Sequence, residues 1–177
     1  MKEDAWEKEK ELEKNIALLS ILYSTAVWNI KAETEDEIMR IGLDRINEVL
    51  KPEIAAILAL RDGFLRIVAG TGIPKSICEK TKIEVGVGTC GEVFLTGRPI
   101  TIPSLSKDPS FIDPFVKEVP VKSVFCYPIR IDDNITGVVW LGFLSSHPPL
   151  KEEEWLVSLV AERLALSLQI HRLKTSK

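Results

Sequence analysis

The sequence predicts an α+β fold built around an antiparallel sheet. Two pairs of apolar, strand-like segments are each joined by a tight polar turn, at residues 61–63 and at residues 132–134. Helical periodicity precedes the first pair and follows the second. Strands joined by a hairpin run antiparallel, whereas a doubly wound sheet needs a helix between successive strands. The order helix, helix, hairpin, irregular region, hairpin, helix therefore favours the α+β class.

The composition fits one globular domain with additional helices. The chain has 177 residues, of which 45% are hydrophobic and 28% are charged, and its mean hydropathy is +0.08. These values allow a sizeable core and argue against global disorder. The net charge is −3, the pI is near 5.6 and the basic residues are scattered, so nothing indicates a nucleic-acid partner.

The first 30 residues carry no signal for secretion or membrane insertion. Residues 1–14 are mostly Lys, Glu and Asp, and the uncharged stretch at residues 15–30 includes several polar side chains. A membrane span needs about 20 apolar residues, so this shorter stretch predicts a buried or interface helix. The three cysteines do not have the spacing of a disulfide framework, which suits a reducing cytoplasm. The scarcity of Gln and Asn favours a thermophilic source.

Apolar residues near the start repeat at heptad spacing and predict a coiled-coil seam. We expect residues 1–30 to form a dimerisation and signalling helix, packed on its own domain on one side and on a partner chain on the other. A helix packed only within its own chain is the alternative. The seam consists of Leu12, Ile16, Leu19, Tyr23, Ala26 and Ile30.

The next segments predict a capped helix and the first hairpin. Thr34 and Glu37 have the spacing of a capping box, and Pro52 ends the helical pattern that follows. Residues 53–60 are expected to form a buried strand, and residues 64–69 its antiparallel partner.

Residues 70–120 predict an irregular region with two short helices and one short strand. The stretch "RPITIPS" is the expected strand, and "DPSFIDPFVKEV" is expected to form a helix with Asp108 as its cap and Pro109 in its first turn. The second hairpin is apolar on both faces, so the sheet should be covered on both sides. A long helix at residues 150–173 is apolar around much of its girth and needs both the sheet and another helix to pack on.

The stretch "VGVGTCGEVFLTGRP" has the glycine spacing of a phosphate loop but not its context. Gly97 ends the following helix after about two turns, and the chain contains no Walker Gly-Lys-Ser/Thr sequence. The glycines instead predict a turn with positive φ. Thr89 and Glu92 predict a second capping box, and Cys90 falls in the first helical turn, where the helix dipole favours a thiolate.

Three blocks of the sequence resemble GAF domains. "GVGTCGEVFLTGRPITIPSLSKDPSF" is similar to their central signature, "SVFCYPIRIDDNITGVVWLGF" to their closing strands, and "LKEEEWLVSLVAERLALSLQ" to their final helix. The resemblance covers roughly residues 19–173. It implies a GAF domain at residues 31–173, with an antiparallel sheet of about five or six strands. The N- and C-terminal helices would cover one face, and short helices and loops would form a small-molecule pocket on the other.

The resemblance also implies a function and a site. It indicates a cytoplasmic sensory module that forms a homodimer through its terminal helices and passes ligand occupancy to an output domain or partner. Binding is expected to order residues 103–120 over a small aromatic or largely apolar ligand. No cofactor, metal or catalytic set is expected. The residues expected to bind the ligand are Cys90, Val93, Phe94, Phe111, Ile112, Phe115, Val124, Cys126, Val138 and Trp140.

Two other functions remain open at this point. Trp140 and Phe111 could fill the pocket, which would leave a structural dimerisation domain. Cys90 could instead serve a thiol redox sensor or an enzyme, since it matches one cysteine of the GAF-type free methionine-(R)-sulfoxide reductases. Against an enzyme, the acidic residues that this branch uses fall here at Val124, Trp140 and Gly142.

Overall fold

A computed structural model describes residues 8, 12, 15, 16, 32–105, 113–118 and 120–176 of the chain. The helices and strands follow the order that the sequence predicts, with two hairpins between the long helices. The elements are α1 (Glu35–Leu50), β1 (Ile54–Arg61), β2 (Phe64–Thr71), α2 (Lys75–Lys80), α3 (Gly88–Thr96), β3 (Ile100–Ile102), a 3₁₀ helix (Pro114–Glu118), β4 (Ser123–Ile131), β5 (Asn134–Phe143) and α4 (Lys151–Thr175).

The strands form one five-stranded antiparallel sheet in the order β2-β1-β5-β4-β3. The two hairpins supply the pairs β1–β2 and β4–β5, and β1 pairs with β5 to join them. This arrangement confirms the α+β class and the predicted strand number. The hairpin turns need positive φ, which Asp62, Gly63 and Asp132 adopt.

Helix α1 begins at the predicted cap. The Thr34 hydroxyl accepts a hydrogen bond from the Glu37 N–H at 3.1 Å. The Glu37 carboxylate reaches back to the N–H of Glu33 at 2.9 Å, one residue before the partner that a standard capping box would use. Lys51 ends the helix in a left-handed conformation, directly before Pro52.

One face of the sheet packs on α1 and α4. Alternate residues of β1, β4 and β5 meet the apolar sides of the two helices in a single buried cluster. Leu164 of α4 lies against Gly42 of α1 so closely that a Cβ there would be 2.3 Å from the leucine side chain. This face therefore holds the sheet to the terminal helices, as predicted.

The last turn of α4 is joined to the first turn of α1 by an ion pair. Arg172 Nε donates to the Glu35 carboxylate at 2.6 Å, and a second guanidinium nitrogen lies 3.2 Å from its other oxygen. The hydrogen bond from Arg172 is the largest influence lowering the pKa of Glu35. The two helix ends are thus fixed to each other at the edge of the domain.

The opposite face is covered by α3, the 3₁₀ helix and neighbouring loops. Helix α3 ends at Gly97 in a left-handed conformation, which confirms the predicted stop. The predicted capping box at its start is wrong. The cap is Val87, without a side-chain hydrogen bond, because the Thr89 hydroxyl is engaged by Asp113 instead.

Several predictions fall outside the described residues. They are most of the helix at residues 1–30, the helix start at Asp108 and Pro109, and the residues Phe111 and Ile112. Of the predicted seam, Leu12 and Ile16 are described as helical and are 60% and 55% exposed. Within the described part of the chain, no helix is long and apolar enough to cross a membrane.

Candidate functional site

The candidate site lies on the sheet face opposite the terminal helices, around Trp140. Cys126 and Trp140 are register partners on β4 and β5, so their side chains stand on the same face. Val124 and Val138 belong to the same buried cluster. Alternate residues of the two strands therefore share this face, and Trp140 is fully buried among them.

A buried carboxylate lies directly against Trp140. The side chain of Asp113 accepts hydrogen bonds from the Cys90 backbone N–H at 3.0 Å and from the Trp140 indole N–H at 2.9 Å. It also accepts one from the Thr89 hydroxyl, which itself lies 3.2 Å from the indole nitrogen. Three donors from two elements converge on one carboxyl group that is 1% exposed.

The start of α3 is shaped to admit this carboxylate. Gly88 has φ of +65°, and a Cβ on it would lie 2.6 Å from an Asp113 carboxylate oxygen. A side chain here would therefore displace the aspartate. Gly91 fits equally tightly, because a Cβ on it would be 2.5 Å from the Glu84 carbonyl oxygen.

The electrostatics of the site reflect this burial. Among the described residues, no Lys, Arg or His forms an ion pair with Asp113. Desolvation raises the pKa of the Asp113 carboxyl, although the hydrogen bonds from Thr89, Cys90 and Trp140 act in the opposite direction. The carboxyl group is therefore held by neutral donors alone, within the described part of the chain.

The two cysteines of the site are fully buried neighbours. Cys90 lies on α3 and Cys126 on β4, and both are fully buried in the same cluster. Burial raises the pKa of the Cys90 thiol well above its ordinary value, and Cys126 and Asp113 raise it further. Burial likewise raises the pKa of the Cys126 thiol. The helix dipole, which favours a thiolate at Cys90, is outweighed.

One aromatic ring closes the site from the side of the 3₁₀ helix. The Phe115 ring stands edge-on to the Trp140 ring, with centroids 4.8 Å apart. Val93 of α3 is buried in the same cluster, and Phe94 packs against it while remaining partly exposed. The structure thus brings together all the predicted site residues that it describes. Ligand binding by them stays a prediction.

Sequence reasoning missed Asp113 and misassigned Thr89. Asp113 stands in the apolar stretch "FIDPF", and an acidic residue surrounded by large apolar side chains is a signal of a buried, hydrogen-bonded carboxylate. Thr89 has cap-like spacing, but its partner lies 24 residues away in the chain. Within the described residues, no cluster of three or more His, Cys, Asp or Glu side chains could hold a metal ion.

Comparison with known proteins places these features in a family. Residues 32–169 match the family model described as a GAF domain. The chain is 24% identical over 118 residues to a Nif-specific regulatory protein of Azospirillum brasilense, a match that covers 63% of this chain and 19% of the relative. The corresponding protein of Azospirillum lipoferum is 26% identical over 92 residues, covering 50% and 15%. The chain therefore spans less than a fifth of the length of these curated relatives.

Solved structures share the fold. The GAF domain of a phosphoenolpyruvate-protein phosphotransferase from Coxiella burnetii superposes with a TM-score of 0.78 at 21% identity, covering 92% of this chain and 98% of that one. A free methionine-R-sulfoxide reductase from Neisseria meningitidis in complex with its substrate gives 0.76 at 14% identity, covering 91% of each chain. At these identities the likeness establishes the architecture alone.

Proposed function

The chain belongs to the GAF domain family, and from that premise we propose that it is a regulatory module that binds a small molecule beside Trp140. The structural change caused by ligand binding would be transmitted through the sheet to the terminal helices, and from them to an output domain or partner protein. The similarity to a regulatory protein supports a signalling role rather than a metabolic one.

The observation that carries this proposal is the alternation along β5. Trp140 contacts the candidate site, while its neighbours Val139 and Leu141 lie in the cluster with α1 and α4. Adjacent residues of one strand point to opposite faces, so a shift of Trp140 moves the packing surface of the helices by way of a single backbone segment. The path from the candidate site to the helices therefore crosses one strand.

Dimerisation through the terminal helices is part of the proposal. Helix α4 leaves Trp155 and Leu173 more than half exposed and Leu166 43% exposed. The seam residues Leu12 and Ile16 are also exposed in the single chain. Apolar residues at helical spacing that one chain leaves uncovered favour burial against a second copy.

Sedimentation velocity of the full chain tests the dimer. The double variant Leu12→Lys/Ile16→Lys should be monomeric at concentrations where the unaltered protein is a dimer, because charges in a seam repel and are costly to bury. Ala17→Lys places a single lysine outside the seam spacing and should leave the dimer intact. A double variant that remains fully dimeric would refute the seam.

A metabolite panel tests sensing. Native mass spectrometry of the purified protein, followed by thermal unfolding against metabolites of acidic, basic, neutral and aromatic classes, should reveal a compound that raises the melting temperature. Stabilisation by a bound ligand grows with concentration as RT ln(1 + [L]/Kd). The same compound should lose its effect in Trp140→Ala. If no metabolite in the panel raises the melting temperature in a concentration-dependent way, the sensing function is refuted.

The second candidate is a structural GAF domain with a filled pocket. Complete burial of Trp140 and its edge-on contact with Phe115 favour it, because these rings occupy the centre of the candidate site. The panel separates the two functions: the structural domain shows dimerisation but no ligand-dependent stabilisation.

We propose no enzymatic activity. A nucleophilic cysteine needs an accessible, low-pKa thiol, whereas Cys90 is fully buried and its pKa is raised. The carboxylates that a reductase of this fold uses are replaced here by Trp140 and Gly142. Alkylation of Cys90 at pH 7 should be slower than that of the partly exposed Cys78, and fast modification of Cys90 would reopen a redox function.

A further inference from the structure

A set of three hydrogen-bond donors around Asp113 has the chemistry of a carboxylate-binding site. We call the Thr89 hydroxyl, the Cys90 backbone N–H and the Trp140 indole N–H the donor cradle. All three groups belong to residues that are fully buried, and all three are directed at one carboxyl group. A backbone N–H in the first turn of a helix adds the favourable end of the helix dipole to this set.

The occupant of the cradle comes from a separate segment. The donors belong to α3 and β5, whereas Asp113 lies directly before the 3₁₀ helix. Among the described residues, neutral donors from these two elements engage both oxygens of the acceptor. Burying a carboxylate without a cationic partner is costly, and the raised pKa of Asp113 has this desolvation as its largest cause. A ligand carboxylate in the place of Asp113 would meet the same three donors.

We propose that the donor cradle recognises the carboxylate of the ligand, and that Asp113 is an internal occupant that the ligand displaces. The surroundings define the rest of the ligand as small and apolar, because Val93, Phe115 and Val138 line the same cluster. The ligand class is a small monocarboxylate with an apolar body. Displacement would release the 3₁₀ helix from Trp140. This inference rests on the proposed sensing function and specifies its ligand.

An amine ligand fits the same geometry less well. An ammonium group would need open acceptor positions on Asp113, but one oxygen already accepts from Cys90 and the other from Thr89 and Trp140. Once Asp113 leaves, the described site presents hydrogen-bond donors. Such donors bind a carboxylate, which accepts hydrogen bonds, rather than an ammonium group, which donates them.

Chemical rescue of Asp113→Ala in the full chain tests the proposal. Removing the internal occupant leaves the cradle unsatisfied, so the variant should unfold at a lower temperature than the unaltered protein. Sodium propionate should then raise its melting temperature to a plateau. Sodium chloride at the same ionic strength and neutral propionamide should not. Adding Thr89→Val should weaken the propionate effect about tenfold, as expected for the loss of one hydrogen bond to a charged group.

A second readout locates the binding. The indole N–H resonance of Trp140, assigned by its loss in Trp140→Phe, should shift with propionate in Asp113→Ala, while the resonance of exposed Trp155 should not. If Asp113→Ala does not fold alone, it is refolded with each additive, and folding that depends on propionate supports the cradle. If it folds with none of them, Asp113→Asn takes its place in both measurements. Absence of a propionate-specific effect in the variant that folds overturns the proposal.

The outcomes separate this inference from the function on which it rests. If propionate rescues Asp113→Ala but no metabolite of the panel stabilises the unaltered protein, the donor cradle is supported and the sensing function is refuted. If only ligands without a carboxylate stabilise the unaltered protein, the sensing function is supported and carboxylate recognition by the donor cradle is refuted.

Discussion

The two faces of the sheet differ in what they bury. The face toward α1 and α4 is closed by apolar side chains that interlock, with Leu164 pressed against Gly42. The face toward α3 buries a carboxylate, a hydroxyl and two thiols beside Trp140. Polar groups in a core cost free energy unless each is satisfied. The first face depends on apolar packing, and the second depends on each polar group keeping its hydrogen-bond partner.

The largest effect is expected on the helix face. Leu164→Ala should lower the free energy of unfolding by about 3 kcal/mol, because it removes buried methyl groups and leaves a cavity between two helices. Urea denaturation measures the change. Leu95→Ala, on α3 but 62% exposed, is the matched control and should change stability by less than about 0.5 kcal/mol. Equal effects of the two variants would show that the helix face is not the stabilising one.

The second prediction concerns the polar network. Trp140→Phe should cost about 2 kcal/mol, because it keeps an aromatic ring but leaves Asp113 and Thr89 without the indole donor. Trp155→Phe makes the same chemical change at a residue that is 53% exposed and should be close to neutral. If Trp140→Phe is as mild as its control, the network contributes no specific stability.

The third prediction is a dependence on pH. The folded state raises the pKa of Asp113 above its unfolded value near 3.8, chiefly by desolvation. The stability contributed by this carboxyl is therefore fully present below that unfolded pKa and is lost as pH rises through the folded pKa. The stability of the unaltered protein relative to Asp113→Asn should fall from pH 4 to pH 7, by less than the Trp140→Phe effect. Asp62→Asn, in an exposed turn, is the control, and a rise with pH would contradict the sign.

The smallest effect is expected for the ion pair between the helix ends. A double-mutant cycle with Glu35→Gln and Arg172→Gln should give a coupling of about 0.5 kcal/mol at pH 7, because the pair is partly exposed and solvent screens it. The hydrogen bond from Arg172 holds the pKa of Glu35 below its usual value of 4.5. The coupling should therefore be present above that value and disappear as pH falls through the lowered folded pKa. A coupling that grows on acidification would contradict this interpretation.

Much of the fold could be predicted because its signals are local. The Thr34 cap, the turn at Asp62 and Gly63 and the stop at Gly97 each depend on residues within one turn of each other. The sheet face on which Trp140 lies is also a local property, since the side-chain period of two along a strand needs no knowledge of distant residues.

The polar network could not be predicted in the same way. Thr89 has the local spacing of a cap, but its hydroxyl donates a hydrogen bond to Asp113 instead. The Asp113 carboxylate, which comes from another segment, also accepts a hydrogen bond from the Cys90 N–H at the start of the helix. Likewise, the dipole argument for a Cys90 thiolate is local, whereas the burial that overrides it depends on the packing of β4 and α3 together. Contacts across 24 residues leave no trace in spacing.

The contact between Arg172 and Glu35 also has a topological consequence. Ala32 and Lys174 line the same small cleft, so the approach to α1 and the last turn of α4 adjoin. A unit whose ends adjoin can be spliced into a surface loop of a host protein without separating the host's flanking strands or helices. The fold is therefore suited to insertion as well as to end-to-end fusion.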